Sequence, residues 1–273
     1  MTGILGTLID APSSVITFGR ALFAVLALTP LLLFESKPRD QVTTFGSKDT
    51  AWRYLLSGLL LSVHWVTFFV SVKASGVAIA TLGFSSFAAF ISIIEWVIDR
   101  RSVERTDWLR TIVVSVGLAM ITPSFNLGNQ TTYGFIMGLL SGLSFAGMAV
   151  VNSHLLRGLN PIRVARNQNI VVALLLVSWA LPDLHHLSTV SWLWLAILGI
   201  FCTGLSHSLF VSSLKRMRVN MAGLVIALEP VYAILAAWLL FAETPAWRTL
   251  LGGVIIVTAI VGVSYSKAIH ESK

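Results

Sequence analysis

The chain has 273 residues, 56% of them hydrophobic and only 11% charged, and a net charge of +7. A soluble domain carries about 25% charged residues, so one aqueous core cannot hide this much apolar surface, and the chain crosses a membrane several times. Its Lys and Arg sit in short segments between apolar runs rather than along one stripe, which excludes a nucleic-acid surface.

In chain order, Met1–Ala11 is apolar but half the length of a span, and Pro12 ends it. A helix needs about 20 residues to cross a bilayer. Ser13–Phe34 is the first full span and carries Arg20. A polar segment leads to Tyr54–Lys73, which holds His64, Trp65 and Phe68, and a tight turn at Ala74–Gly76 leads to Val77–Ile98. The basic loop Asp99–Asp107 and the shorter span Trp108–Thr122 complete the first half.

The second half repeats this rhythm. Gly134–Leu156 is followed by Ile162–Leu181, with Arg166, Asn167, Gln168 and Asn169. The loop Pro182–Ser191 holds His185 and His186, and Trp192–Leu214 carries Cys202, Ser206 and His207. Val219–Glu243 and Trp247–Tyr265 bring the total to nine full spans and one fragment. Cys202 is the only cysteine, so neither a disulfide framework nor a cysteine-based metal site is available. The His185–His186 pair lacks a third ligand, and no metal or cofactor is expected.

Val219–Glu243 organises the rest. Glu229 and Pro230 lie near its middle. Pro230 has no N–H, so the carbonyl of Ile226 loses its helical partner and a kink follows. An ionised group at bilayer depth costs at least about 2.5–3.5 kcal/mol and normally faces a wet cavity or a partner. This midpoint is the first candidate for a functional site.

The halves can be laid over each other. Pro12 with Arg20 matches Pro161 with Asn169, His64 matches Ser206–His207, Lys73 falls on Lys215, and Phe87–Ala88 falls on Glu229–Pro230. Five spans per repeat is odd, so the copies are upside down relative to each other, and a substrate site is expected between them near the midplane. Placing the C-terminus in the cytoplasm puts fifteen Lys and Arg in inside segments and only two, Lys73 and Arg248, outside. The recurrence Gly134, Gly138, Gly142, Ala146 makes one smooth helix face, a packing signal.

His64 and His207 suit proton coupling or hydrogen bonding to a substrate, because imidazole titrates near neutral pH. Trp65, Phe68 and Tyr232 are candidates for an aromatic cavity wall. Arg20 either binds an anionic group or counters Glu229, or else pins the structure. No phosphate-cradling glycine loop appears and no domain is present to hold a nucleotide, which argues against primary active transport. No nucleophile elbow or zinc-ligand helix appears in the spans, and an intramembrane enzyme is the rival class.

The segments ALEPVYAILAAWLLFAE ending in Glu243, LFVSSLKRMRVNMAGL, and PSSVITFGRALFAV with Arg20, together with the paired five-span halves, resemble the EamA-type transporters of the drug/metabolite transporter superfamily. The resemblance implies an all-α, ten-helix inverted-repeat bundle (5+5) in the cell (inner) membrane, with repeats over 1–122 and 134–269. It implies export of a small metabolite, an amino acid or a drug-like amphipathic compound, by alternating access. The expected partners are that substrate, the lipid bilayer and protons as coupling ion, with uncoupled facilitation as the alternative.

By the same resemblance the motif residues Arg20, Glu229, Pro230 and Glu243 serve scaffold or gating rather than substrate choice. The residues themselves and the repeat symmetry point to His64, Trp65, Phe68, Asn169, Ser206, His207, Glu229, Pro230 and Tyr232 for the cavity and coupling, with Arg20 and Glu243 left to structure or gating. The first-repeat midpoint, Phe87–Ala88, lacks the proline that many relatives carry, which removes the usual cause of a kink there. The first helix is expected to be truncated: 28 residues separate Tyr133 from Pro161, but only 11 separate Met1 from Pro12.

Overall fold

The computed structural model describes residues 2–33, 48–99, 129–155 and 159–215, with scattered positions between 109 and 116 and between 219 and 258. The described residues form helices: α1 (Thr2–Thr7), α2 (Ser13–Leu33), α3 (Lys48–Phe84), α4 (Phe87–Asp99), α5 (Gln130–Leu155), α6 (Pro161–Ala180), α7 (Thr189–Ile197) and α8 (Ser206–Ser213). A short 3-10 turn, Leu181–His186, follows α6, and a π-helical segment, Leu198–Leu205, joins α7 to α8. Five of the helical stretches are long and apolar enough to cross a membrane: Ser13–Leu33, Ala51–Phe84, Gln130–Ser153, Pro161–His186 and Thr189–Ser213. Spans expected over Trp108–Thr122, Val219–Glu243 and Trp247–Tyr265 lie largely outside the described residues, as do Pro230, Tyr232 and Glu243.

Helix starts follow local chemistry. Asn160 caps α6 by accepting from the Ile162 N–H at 2.8 Å, and Pro161 takes the first helical position, where its missing N–H costs nothing. Ser188 caps α7 through the Ser191 N–H at 3.1 Å. Asn129, in a sequence that fits a glycosylation sequon by spacing, accepts from the Thr131 N–H at 2.9 Å beside the start of α5.

Around a buried apolar core that includes Leu61, Leu82 and Phe87, the outer surface is apolar and many polar side chains are buried, unlike a soluble protein. Leu33, Leu174, Phe201 and Leu209 are exposed, while Ser57, Ser71, Ser141, Asn152, Gln168 and Asn169 are buried. Lipid tails are as apolar as leucine, so exposed leucines cost little, and polar and small side chains add to the apolar packing at the helix contacts. Trp52, Trp96 and Trp179 are exposed near helix ends, the positions where amphipathic rings meet the membrane–water interface.

α3 packs mainly on α5 and α2 on α6, while α2 meets the π segment and α6 meets α3. The glycine face of α5 makes the first of these contacts possible. A Cβ on Gly142 would lie 2.8 Å from the Phe84 carbonyl oxygen and 3.1 Å from the Phe87 nitrogen, both backbone atoms. At Gly147, five residues further along α5, a Cβ would meet only the flexible end of Leu60 at 3.4 Å. Gly142→Ala is therefore expected to cost about 1–3 kcal/mol, as overpacking does, and Gly147→Ala to be nearly neutral. Thermal unfolding of the two variants in detergent checks this, and equal melting temperatures would contradict it.

Two breaks interrupt the third and fourth helices. The turn expected at Ala74–Gly76 is present as a single residue, Gly76, at φ 80° and ψ 167°, a backbone region that L side chains rarely adopt. The continuous span expected over Val77–Ile98 is broken at Ser85–Ser86. No proline is needed. The Ser85 hydroxyl donates to the Thr81 carbonyl at 2.8 Å and the Ser86 hydroxyl to Gly83 at 2.7 Å, and such back-bonding competes with the helical ladder.

Candidate functional site

Where α2, α3, α5, α8 and the π segment meet, a cavity of about 550 Å³, counting its open mouth, enters the bundle. Its polar lining includes Arg20, His64, Ser206, His207 and Glu229. Its aromatic lining is Trp65, Phe68, Phe84, Phe145 and Phe210, and Cys202 and Thr2 complete it.

Arg20 is placed by a backbone contact. A Cβ on Gly199 would collide with Phe23 and lie 2.7 Å from the Arg20 carbonyl oxygen, so only glycine lets the π segment lie this close to α2. Arg20 Nε then donates to Thr203 Oγ1 at 2.8 Å, and the Thr203 hydroxyl donates to the Leu198 carbonyl five residues back, at 2.9 Å. The guanidinium carbon lies 4.0 Å from the Trp65 ring centroid and 5.5 Å from that of Phe69, both within cation–π range. Arg20 is 2% exposed, and its Nη1 has no hydrogen-bond partner among the described residues. A buried donor without a partner is costly.

The histidines come from opposite halves. His64 Nδ1 lies 2.7 Å from Ser141 Oγ and 3.1 Å from the Ser141 carbonyl oxygen, while the Ser141 hydroxyl approaches the His64 carbonyl at 3.1 Å. His207 Nε2 lies 2.9 Å from Gln168 Oε1, and Gln168 in turn reaches Asn152. Both imidazoles are 7% exposed. The His64 ring packs 5.0 Å from Phe84 and 4.9 Å from Phe145, and Trp65 meets His207 edge-on at 6.2 Å.

The structure thus brings six expected positions, His64, Trp65, Phe68, Ser206, His207 and Glu229, onto one cavity. Arg20, expected in a scaffold or gating role, lines the same cavity. Asn169 does not. It is fully buried, and its Nδ2 donates to the Ala165 carbonyl at 2.8 Å within its own helix. As the repeat mate of Arg20 it was placed by symmetry, but its shorter side chain turns back on α6. Thr203, Ser141, Phe145 and Phe210 were missed. A polar residue within an apolar run signals Ser141 and Thr203. Nothing in sequence separates Phe145 and Phe210 from lipid-facing aromatics.

The EamA-like transporter family model matches residues 2–122 and 132–265. The chain belongs to this family. EamA-type proteins form part of the drug/metabolite transporter superfamily, and the similar proteins carry transporter names. A protein named uncharacterized transporter from Archaeoglobus fulgidus is 28% identical over 90% of this chain and 84% of its own. Human solute carrier family 35 member G1 is 22% identical over 93% of this chain and 72% of its own. A protein named S-adenosylmethionine uptake transporter from Rickettsia bellii is 25% identical over 100% of this chain and 90% of its own. One crystal structure superposes with a TM-score of 0.63 at 14% identity, covering 95% of this chain and 92% of that one, a likeness of fold alone. The EamA chain described here is therefore a multi-pass membrane protein of a transporter family.

Proposed function

We propose that this EamA-type chain exports a small amphipathic metabolite, an amino acid or a compound of similar size, by alternating access of its two repeats around the cavity. The observation that carries this reading is the joining of Arg20 and Glu229 to an aromatic wall in one cavity. A group of either charge finds a partner there, and an apolar body finds ring faces. We place the C-terminus and the basic segments in the cytoplasm of a cell (inner) membrane on the Lys and Arg asymmetry.

Export is the proposed direction and protons the proposed coupling ion. The Rickettsia relative is named for uptake, so the test must be open to both directions. Purified protein in liposomes, challenged with radiolabelled amino acids and S-adenosylmethionine under imposed pH gradients, is expected to show saturable, gradient-dependent flux of at least one compound. Saturable flux that ignores the gradient points to an uncoupled facilitator. Flux no greater than in protein-free liposomes for every compound overturns the proposal.

A further inference from the structure

Two buried histidines line the cavity, and α5 holds both on their far sides: His64 directly through Ser141, and His207 through Gln168 to Asn152. We infer that Ser141 and the Gln168–Asn152–Met148 chain are positioning groups that lock His64 and His207 in opposite neutral tautomers, so that each ring offers the cavity a bare nitrogen.

The chain has a direction because its end can play only one part. A thioether sulfur accepts and never donates. Asn152 Nδ2 lies 2.9 Å from Met148 Sδ and donates to it, which leaves Asn152 Oδ1 to accept from Gln168 Nε2. Gln168 Oε1 is then left to accept, and its 2.9 Å neighbour, His207 Nε2, carries the proton. His207 Nδ1 is bare. Reversing the chain would set the Asn152 carbonyl oxygen against the lone pairs of sulfur.

At His64 the lock runs through Ser141. The Ser141 carbonyl oxygen, 3.1 Å from His64 Nδ1, has no hydrogen to give, which leaves the Ser141 hydroxyl hydrogen to turn to the His64 carbonyl at 3.1 Å. The Ser141 Oγ and carbonyl oxygen beside His64 Nδ1 can then only accept, so Nδ1 carries the proton and Nε2 is bare.

Both rings line the cavity, and the bare nitrogen of each is the one its α5 partner does not hold. Two acceptors on rings that line the cavity together with Glu229 and Arg20 select a cargo group that carries N–H or O–H hydrogens. Ser141 and Asn152 are eleven residues apart, about 16 Å along one helix, so an axial shift of α5 disturbs both locks together. The functional meaning rests on the cavity being the cargo path, but the test needs no cargo.

The full chain, labelled with ¹⁵N-histidine and placed in lipid bilayers, is read by solid-state NMR above the ordinary imidazole range, with His64→Gln and His207→Gln spectra for assignment. The expected result is a protonated Nδ1 at His64 and a protonated Nε2 at His207. In Gln168→Leu the His207 N–H should exchange with deuterated solvent at least about tenfold faster, the loss of one protecting hydrogen bond, while His64 is unchanged. Gln168→Glu keeps an acceptor and should keep exchange slow. A wild-type proton on His207 Nδ1 or His64 Nε2 overturns the inference, as does an unchanged exchange rate in Gln168→Leu. If that variant does not fold, the wild-type spectrum and Gln168→Glu decide. Absent liposome transport with both tautomers as stated would count against the proposed function and not against the locks.

Discussion

Arg20→Leu should abolish transport while leaving the melting temperature within about 4 °C of wild type. The two halves of that expectation have separate causes. Removing the guanidinium forfeits the hydrogen bond to Thr203, worth about 1.5–3 kcal/mol for a charged donor, and a desolvated cation–π contact of about 2 kcal/mol. It also relieves a buried cation whose Nη1 has no partner, a desolvation penalty of several kcal/mol. The terms are of similar size and opposite sign, so stability changes by about 1 kcal/mol at most, and 1 kcal/mol shifts a chain of this length by roughly 2–4 °C. Transport has no such compensation, because the cavity loses the buried cation of its described lining. Arg20→Lys keeps charge but loses the planar fork and should retain only partial flux.

Thr203→Val separates this reading from that of a structural pin. It orphans Arg20 Nε at a cost of about 1–3 kcal/mol, whereas Thr203→Ser keeps the hydroxyl and should restore wild-type melting. Flux in liposomes and thermal unfolding of the four variants are the measurements. An Arg20→Leu protein that melts far below wild type, or one that still transports, would return Arg20 to the scaffold.

Glu229→Gln is the second large effect. Glu229 lines the same cavity as Arg20 and is half-buried, and it is the acidic residue among the cavity's described lining. Glutamine keeps its shape and removes both the charge and the exchangeable proton. Gradient-driven export should fall at least about tenfold, equivalent to 1.4 kcal/mol, while exchange of substrate for substrate is less affected because it needs no net proton movement. Equal loss in both modes would make Glu229 a cargo contact. Unchanged gradient-driven export would remove it from coupling altogether.

Membrane class and the stretches around Arg20, His64, His207 and Glu229 were legible in the sequence because a polar residue in an apolar run is expensive and therefore conspicuous. The turn at Ala74–Gly76 was legible for the same kind of reason: Gly76 occupies a backbone region that other residues avoid. The break at Ser85–Ser86 was not, since serine has no fixed backbone signature and bends a helix only when its hydroxyl finds a carbonyl of the preceding turn. The π segment was equally silent. Leu198–Leu205 reads as an ordinary apolar run until the Gly199 contact with α2 and the Thr203 hydroxyl are seen together. Asn169 marks the limit of repeat symmetry, which can place a residue on a helix without deciding where its side chain turns. Phe145 and Phe210 show the remaining gap, because aromatics that face a cavity and aromatics that face lipid have the same composition and spacing.

The central claim is that one cavity opens alternately to each side of the membrane, and Cys202 tests it with a single native probe. Cys202 is the only cysteine in the chain, and it lines the cavity from the π segment. A membrane-impermeant thiol reagent applied to right-side-out vesicles, and separately to inside-out vesicles, should label Cys202 in both, with labelling from one side lost once the reagent on the other side has reacted. Labelling confined to one side in every condition, or none from either, would contradict alternating access at this cavity.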